Sequence, residues 1–173
     1  MDILSHGLWG GSAFYPKGIK RFTAAFFVGM APDLLSFGLY HLTHPGWLKL
    51  RLAGGVSGPP PLSTLPEFLF HAYNLTHSLV IWASLLVVIW MIRKRPPWLF
   101  LPWGLHILCD IPTHSSRYFP TPYLWPFSTP LVEGISWASP WFIMSNYTAL
   151  LAVYCGMFVR VWRRDKVQKS SDR

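Results

Sequence analysis

The chain has little charge for its length. Only 13% of its 173 residues are charged, whereas a soluble domain usually carries about 25%. Among the charged residues the acidic ones are the scarcer, with seven Asp and Glu in total. By contrast, 51% of the residues are hydrophobic and 17% are aromatic. This balance argues against an ordinary soluble domain and predicts a protein that is integral to a membrane, where aromatic side chains collect near the two surfaces.

Cysteine and targeting signals are also scarce. The two cysteines, Cys109 and Cys155, lie in apolar segments and are predicted to be buried free thiols. Residues 1–15 lack the basic start and the small-residue cleavage site of a signal peptide. We expect them to form a short helix instead, with Asp2 or Ser5 as its cap.

The net charge of +8 does not indicate a nucleic-acid partner. The basic residues fall in short groups that flank apolar segments, and no aromatic–basic interleaving suggests a surface that reads bases. Such groups are typical of the cytoplasmic ends of membrane spans. They are Lys17, Lys20 and Arg21, then Arg93 to Arg95, and finally the run from Arg160 to Arg173.

Apolar stretches predict an all-α integral membrane helical bundle with four clear spans and a short N-terminal helix. The spans are 22–40, 75–92, the shorter 98–111, and 141–162. Residues 1–162 form one membrane-embedded domain, and 163–173 are predicted to be a disordered basic tail. With every basic group in the cytoplasm, the C-terminus is cytoplasmic and the two long loop regions, 41–66 and 112–138, lie outside.

The polar residues inside these spans need an explanation. His106 and Asp110 are four residues apart, so they share one helix face. Pro112 should end or kink that helix, and His114 follows just beyond it. A lone buried carboxylate is too costly, so Asp110 must be paired, bound to a metal or open to a water-filled cavity.

The predicted topology brings further ligand types to the same depth. Asp33 lies in the outer half of the first span, and His77 is at the outer start of the second. His6 lies near the outer surface as well if residues 3–15 run from the outside of the membrane to the inside. Other interpretations stay open: Asp33 and His77 are possible helix caps, His6 a surface residue, and His106–Asp110 an ion pair. Imidazole and carboxylate together suit zinc, as one or two ions, or another divalent transition metal.

Taken in order, these motifs resemble a known family, the membrane-bound, LexA-regulated type of predicted metal-dependent hydrolases. That family is distantly similar to zinc-dependent phospholipase C. The motifs are His6, Pro32-Asp33, Thr76-His77-Ser78, His106-Ile-Leu-Cys-Asp110 and Leu124-Trp125-Pro126. The resemblance implies metal roles for His6, Asp33, His77, His106 and Asp110, and a multi-pass protein of a bacterial-type inner (plasma) membrane.

Two positions depart from the family pattern. Leu35 stands where a second acid often follows the Pro-Asp, and no Arg precedes Thr76-His77-Ser78. Arg117, just after His114, is a candidate replacement for the anion-binding role of that missing Arg.

The predicted function is a membrane-embedded metal-dependent hydrolase with its site near the outer membrane surface. Asp110 and His114 are the candidate catalytic residues, and metal-activated water is the expected nucleophile. At that depth, membrane lipid or another amphipathic phosphoester or ester is the expected substrate. The alternative is a non-enzymatic metal-binding or transport protein. A transporter needs polar groups toward the cytoplasm, and the inner halves of the spans offer only Ser84 and Thr23.

Overall fold

The computed structural model describes residues 1–128, 130 and 132–171, and all the regular structure in that part of the chain is helical, as predicted. The α-helices are α1 (Ile3–Ser12), α2 (Ile19–Asp33), α3 (Leu39–Thr43), α4 (Gly46–Leu52), α5 (Glu67–Thr76), α6 (Leu79–Arg93), α7 (Leu101–Thr113) and α8 (Pro140–Ser171). The N-terminal helix begins at the predicted cap, because the Asp2 side chain accepts a hydrogen bond from the Ser5 N–H at 3.0 Å.

The first predicted span is helical throughout but irregular at its centre. It runs from Ile19 to Thr43 and consists of α2, a π-helical stretch (Leu34–Gly38) and α3. Pro32 lies inside α2 and lacks the N–H that an α-helix needs. The Ser36 hydroxyl donates to the Pro32 carbonyl at 2.8 Å. The π-helical stretch follows directly after Asp33, and such wide turns are frequent at functional sites.

The predicted count of four clear spans is wrong. Among the described residues, two helices are long and apolar enough to cross a membrane, Ile19–Thr43 and Pro140–Arg164. A third exists only if α5 and α6, which meet at 56°, count as one bent span. The predicted span 98–111 yields a 3-10 turn and the 13-residue α7. At 1.5 Å per residue, α7 is shorter than the roughly 30 Å hydrocarbon layer.

The break between α5 and α6 has a local cause. The Ser78 side chain accepts hydrogen bonds from the N–H groups of Val80 and Ile81, and so starts α6 afresh. The Thr76 hydroxyl donates to the Ala72 carbonyl and helps to close α5. His77 therefore lies in the break between two helices, not inside the apolar span where hydropathy puts it.

The helices α1 and α2 approach each other closely because both carry glycine at the contact. A Cβ atom on Gly29 would lie 2.6 Å from the His6 carbonyl oxygen, and one on Gly10 would lie 3.2 Å from Gly29 Cα. Helix α7 packs against both. These three helices carry His6, Asp33, His106 and Asp110, so their packing assembles most of the candidate site.

The last helix extends beyond the predicted domain end. α8 continues to Ser171, across most of the basic tail that the sequence predicts as disordered. That tail contains no Gly or Pro after Gly156, and Arg, Lys and Gln are good helix formers. Residues 172 and 173 lie outside the described residues. Both cysteines are free, but Cys155 on α8 is exposed and Cys109 is only half-buried, so the predicted burial of the thiols is wrong.

Candidate metal centre

Five of the six residues singled out from the sequence lie around the carboxylate of the sixth, Asp110. The Nε2 atoms of four histidines approach the Asp110 oxygens, His6 at 2.9 Å, His106 at 3.1 Å, His114 at 3.4 Å and His77 at 3.6 Å. Asp110 is 1% exposed, and it comes from α7, whereas the histidines come from α1, α7 and the segments after α5 and α7. Residues more than 100 positions apart therefore share one buried point.

Asp33 joins this cluster from the C-terminal end of α2, directly before the π-helical stretch. Its Oδ1 atom lies 3.5 Å from His77 Nε2 and 3.8 Å from His106 Nε2. Unlike Asp110, its side chain is 17% exposed. Two groups of three could hold a metal ion, with all ligand atoms of a group within 4.8 Å of one another. They are His6, Asp33 and His106, and His77, His106 and Asp110.

Backbone carbonyls orient three of the four imidazole rings. Each of these rings turns its Nδ1 atom toward a carbonyl oxygen and its Nε2 atom toward the carboxylates. The acceptors are the carbonyls of Gly29, Tyr73 and Phe119, at 2.7, 3.2 and 2.9 Å from His106, His77 and His114. Because a carbonyl can only accept, Nδ1 carries the proton and Nε2 keeps its lone pair in the neutral ring. Metal-binding histidines are held in this way.

Two of these nitrogens face each other. The Nε2 atoms of His77 and His106 are 3.2 Å apart. In the neutral tautomers that their carbonyl partners select, both carry lone pairs, so they repel each other unless one ring is protonated or a cation lies between them. The arrangement has the chemistry of a cation site between two imidazoles and two carboxylates.

His6 is held by stacking. Its ring lies 3.6 Å from that of His106, centroid to centroid, with 19° between the planes. Neither ring nitrogen has a hydrogen-bond partner within the described part of the chain. Its Nε2 atom lies 2.9 Å from Asp110 Oδ1, at ion-pair distance. Burial lowers the pKa of His6 to about 4, so the ring is neutral at pH 7 and free to act as a ligand.

Several supporting groups are not evident from ligand motifs. The Thr76 hydroxyl lies 2.9 Å from His77 Nδ1, and the Tyr73 ring stacks on His77 at 3.9 Å. The Met1 amino group donates to Asp110 Oδ1 and, at 3.2 Å, to the Thr113 hydroxyl. Helical spacing is the signal that could have found one of them, since Tyr73 comes four residues before His77.

The remaining histidines lie outside the cluster. The side chain of His71 is 67% exposed and lies 3.5 Å from Glu67. Arg117 is exposed and lines a separate cavity of about 220 Å³. Glu133 is exposed and accepts hydrogen bonds from Ser116.

A larger cavity of about 580 Å³ reaches the cluster. Asp33 and His114 line it, together with Thr113. Most of its other walls are apolar or aromatic, including Phe37, Leu48, Tyr118, Phe119 and Trp137. Asp33 and His114 therefore connect the buried histidines and Asp110 to the cavity.

Fold and site together define an all-helical protein with two helices long enough to span a membrane and a buried His/Asp cluster that could hold a metal. Comparisons with protein-family models, curated proteins and solved structures find no significant match. The resemblance to metal-dependent membrane hydrolases therefore stays a prediction from the motifs.

Proposed function

We propose that this protein is a membrane-embedded metal-dependent hydrolase that cleaves a phosphoester or ester of a lipid-like substrate. One observation carries the proposal. The His77 and His106 Nε2 atoms, 3.2 Å apart, face the carboxylates of Asp33 and Asp110 while carbonyls hold their Nδ1 atoms. Two imidazole nitrogens that face each other beside two carboxylates favour a bound cation, and the group His77, His106 and Asp110 has the spacing to hold one.

Zinc is the proposed ion, and another divalent transition metal could occupy the same ligands. His77, His106, Asp110 and Asp33 would hold it, and His6 would complete the set, with room for one or two ions. When bound, zinc lowers the pKa of a coordinated water to about 7 and polarises the ester under attack.

His114 is the proposed proton carrier. Its side chain is 13% exposed, and its Nε2 atom lies 3.4 Å from Asp110 Oδ1. The Phe119 carbonyl fixes the ring at 2.9 Å. The imidazole thus lies between the buried carboxylate and the cavity, where it can pass a proton to a leaving group.

Metal content tests the proposal directly. We expect purified protein to carry stoichiometric zinc by elemental mass spectrometry, and His106→Ala and Asp110→Asn to lose it. His71→Ala is the matched control, because His71 is exposed and lies outside the cluster. Purified wild-type protein without metal, or variants that still bind metal as the wild type does, would contradict the proposal.

Activity separates the hydrolase from the transport alternative. We expect the detergent-purified protein to cleave a short-chain fluorogenic phosphodiester lipid, and both a chelator and His114→Gln to slow cleavage. Zinc uptake into proteoliposomes without cleavage would reverse the ranking in favour of a transporter.

The proposed location is a bacterial-type inner membrane, with the site facing outside and the C-terminus in the cytoplasm. The basic groups at the ends of the apolar segments support this topology. A C-terminal fluorescent-protein fusion should fluoresce, and a C-terminal alkaline phosphatase fusion should be inactive. The opposite pair of results would reverse the topology.

A further inference from the structure

We propose that the large cavity contains a second polar subsite, formed by His41, Trp47 and Arg51, that binds an anionic group of an amphipathic molecule. These residues come from α3 and α4, and none of them belongs to the metal centre. All three line the cavity into which Asp33 and His114 open.

Two unpartnered polar atoms point to a ligand there. The indole Nε1 of Trp47 and the Nδ1 atom of His41 are buried and have no hydrogen-bond partner within the described ranges. Buried polar groups are normally hydrogen-bonded, and each one left unpaired is costly. An indole N–H can only donate, so Trp47 needs an acceptor.

Arg51 supplies the charge that selects an anion. Its guanidinium lies within electrostatic range of His41, and guanidinium groups bind phosphate and carboxylate through paired hydrogen bonds. Both acidic side chains on the cavity wall, Asp2 and Asp33, come from other elements. Asp2 is already engaged by Ser5 and Tyr147, so it does not occupy Arg51.

The rest of the cavity suits an apolar body. Its walls include Ile3, Phe37, Leu48, Tyr118 and Trp137, and its volume of about 580 Å³ exceeds what a small anion needs. A molecule with an anionic group at Arg51 and apolar chains along these walls would reach Asp33 and His114. Binding at the subsite stands by itself, whereas its role in holding a substrate rests on the proposed hydrolase.

Native mass spectrometry of the detergent-purified full chain tests the subsite. Dioctanoyl phosphatidic acid is the anionic probe, and dioctanoylglycerol is its neutral match. We expect Arg51→Gln to weaken phosphatidic acid binding about tenfold or more and Trp47→Phe, which keeps an aromatic ring but removes the indole N–H, about three- to tenfold. Dioctanoylglycerol binding should not change. Lys49→Gln is the control, because Lys49 lies on α4 outside the cavity lining.

Three results would overturn the subsite. One is unchanged phosphatidic acid binding in Arg51→Gln, and another is an equal loss in Lys49→Gln. The third concerns the apolar walls: glycerol 3-phosphate, which has the charge without the chains, should bind at least about tenfold more weakly. Equal affinity would exclude an amphipathic ligand.

The same spectra keep this proposal separate from the metal centre, since zinc and lipid give distinct mass shifts. We expect Asp110→Asn to lose zinc but keep phosphatidic acid binding that depends on Arg51. Loss of that lipid binding in Asp110→Asn overturns the subsite. Absence of zinc from the wild-type protein counts against the hydrolase instead.

Discussion

The two helices long enough to span a membrane differ in what they carry. Ile19–Thr43 contains Pro32, a π-helical turn and Asp33, and 22% of its most apolar window is buried. Pro140–Arg164 belongs to a continuous helix without candidate ligands, and only 6% of its window is buried. Its polar contacts to the rest of the protein are made through side chains such as Asn146 and Tyr154.

The two helices are similarly apolar, but they have different roles in the structure. A regular helix that is exposed along most of its length needs only an apolar surface to lie in lipid. The helix that positions Asp33 has an interrupted backbone pattern, and such an interruption is tolerated in a membrane where neighbouring groups satisfy the freed backbone groups. Here the Ser36 hydroxyl donates to the carbonyl of Pro32 at 2.8 Å.

The largest expected contrast comes from one glycine on each helix. Gly29→Ala should destabilise the protein by about 1–3 kcal/mol and release zinc, because its Cβ would lie 2.6 Å from the His6 carbonyl. Gly156→Ala, where nothing lies within 4 Å, should stabilise α8 by up to about 1 kcal/mol. Thermal unfolding in detergent measures both. Equal effects would mean that α1 and α2 do not pack as described.

Asp33 gives the next contrast. Asp33→Asn should weaken zinc binding by about 100-fold. Loss of a group that only supports a metal ligand already weakens metal binding by about 10- to 100-fold, so loss of a ligand should reach the upper end of that range. The shape of the side chain is kept and 17% of it is exposed, so stability should change little. Competition with a chelating dye measures the affinity. A variant that binds zinc as the wild type does would remove Asp33 from the site.

Asn146 should show the opposite behaviour. Its side chain accepts from Trp9 Nε1 at 2.9 Å and donates to the Ser5 hydroxyl at 2.7 Å. Asn146→Ala leaves the indole N–H unpaired and should cost about 1–3 kcal/mol of stability, with zinc affinity unchanged. Chemical unfolding and zinc titration on one preparation check this. A change in zinc affinity would show that α8 supports the metal centre after all.

The smallest effect is expected at the irregular turn. Ser36→Ala removes the donor to the Pro32 carbonyl and should cost about 1 kcal/mol. Ser145→Ala on α8 is the control, because that side chain is exposed and should change stability by less than about 0.5 kcal/mol. If the two variants unfold at the same temperature, the Ser36 hydrogen bond contributes nothing measurable.

The candidate ligands could be predicted from the sequence because polar residues are rare in this chain. His6, Asp33, His77, His106, Asp110 and His114 stand out against apolar neighbours, and each needs a partner. Local signals also predicted the Asp2 cap and the end of α7 near Pro112. The number of spans could not be predicted, because hydropathy sums over residues and does not register that the Ser78 hydroxyl can restart a helix.

By itself, the sequence determined that the chain is helical and apolar and which side chains must find partners inside it. The tertiary structure decided how they meet. Only the packing of Gly10 against Gly29 brings His6 onto His106, and only the chain path puts Arg51, not Arg117, on the cavity beside Asp33. Both depend on contacts between residues far apart in the chain, which no local pattern encodes.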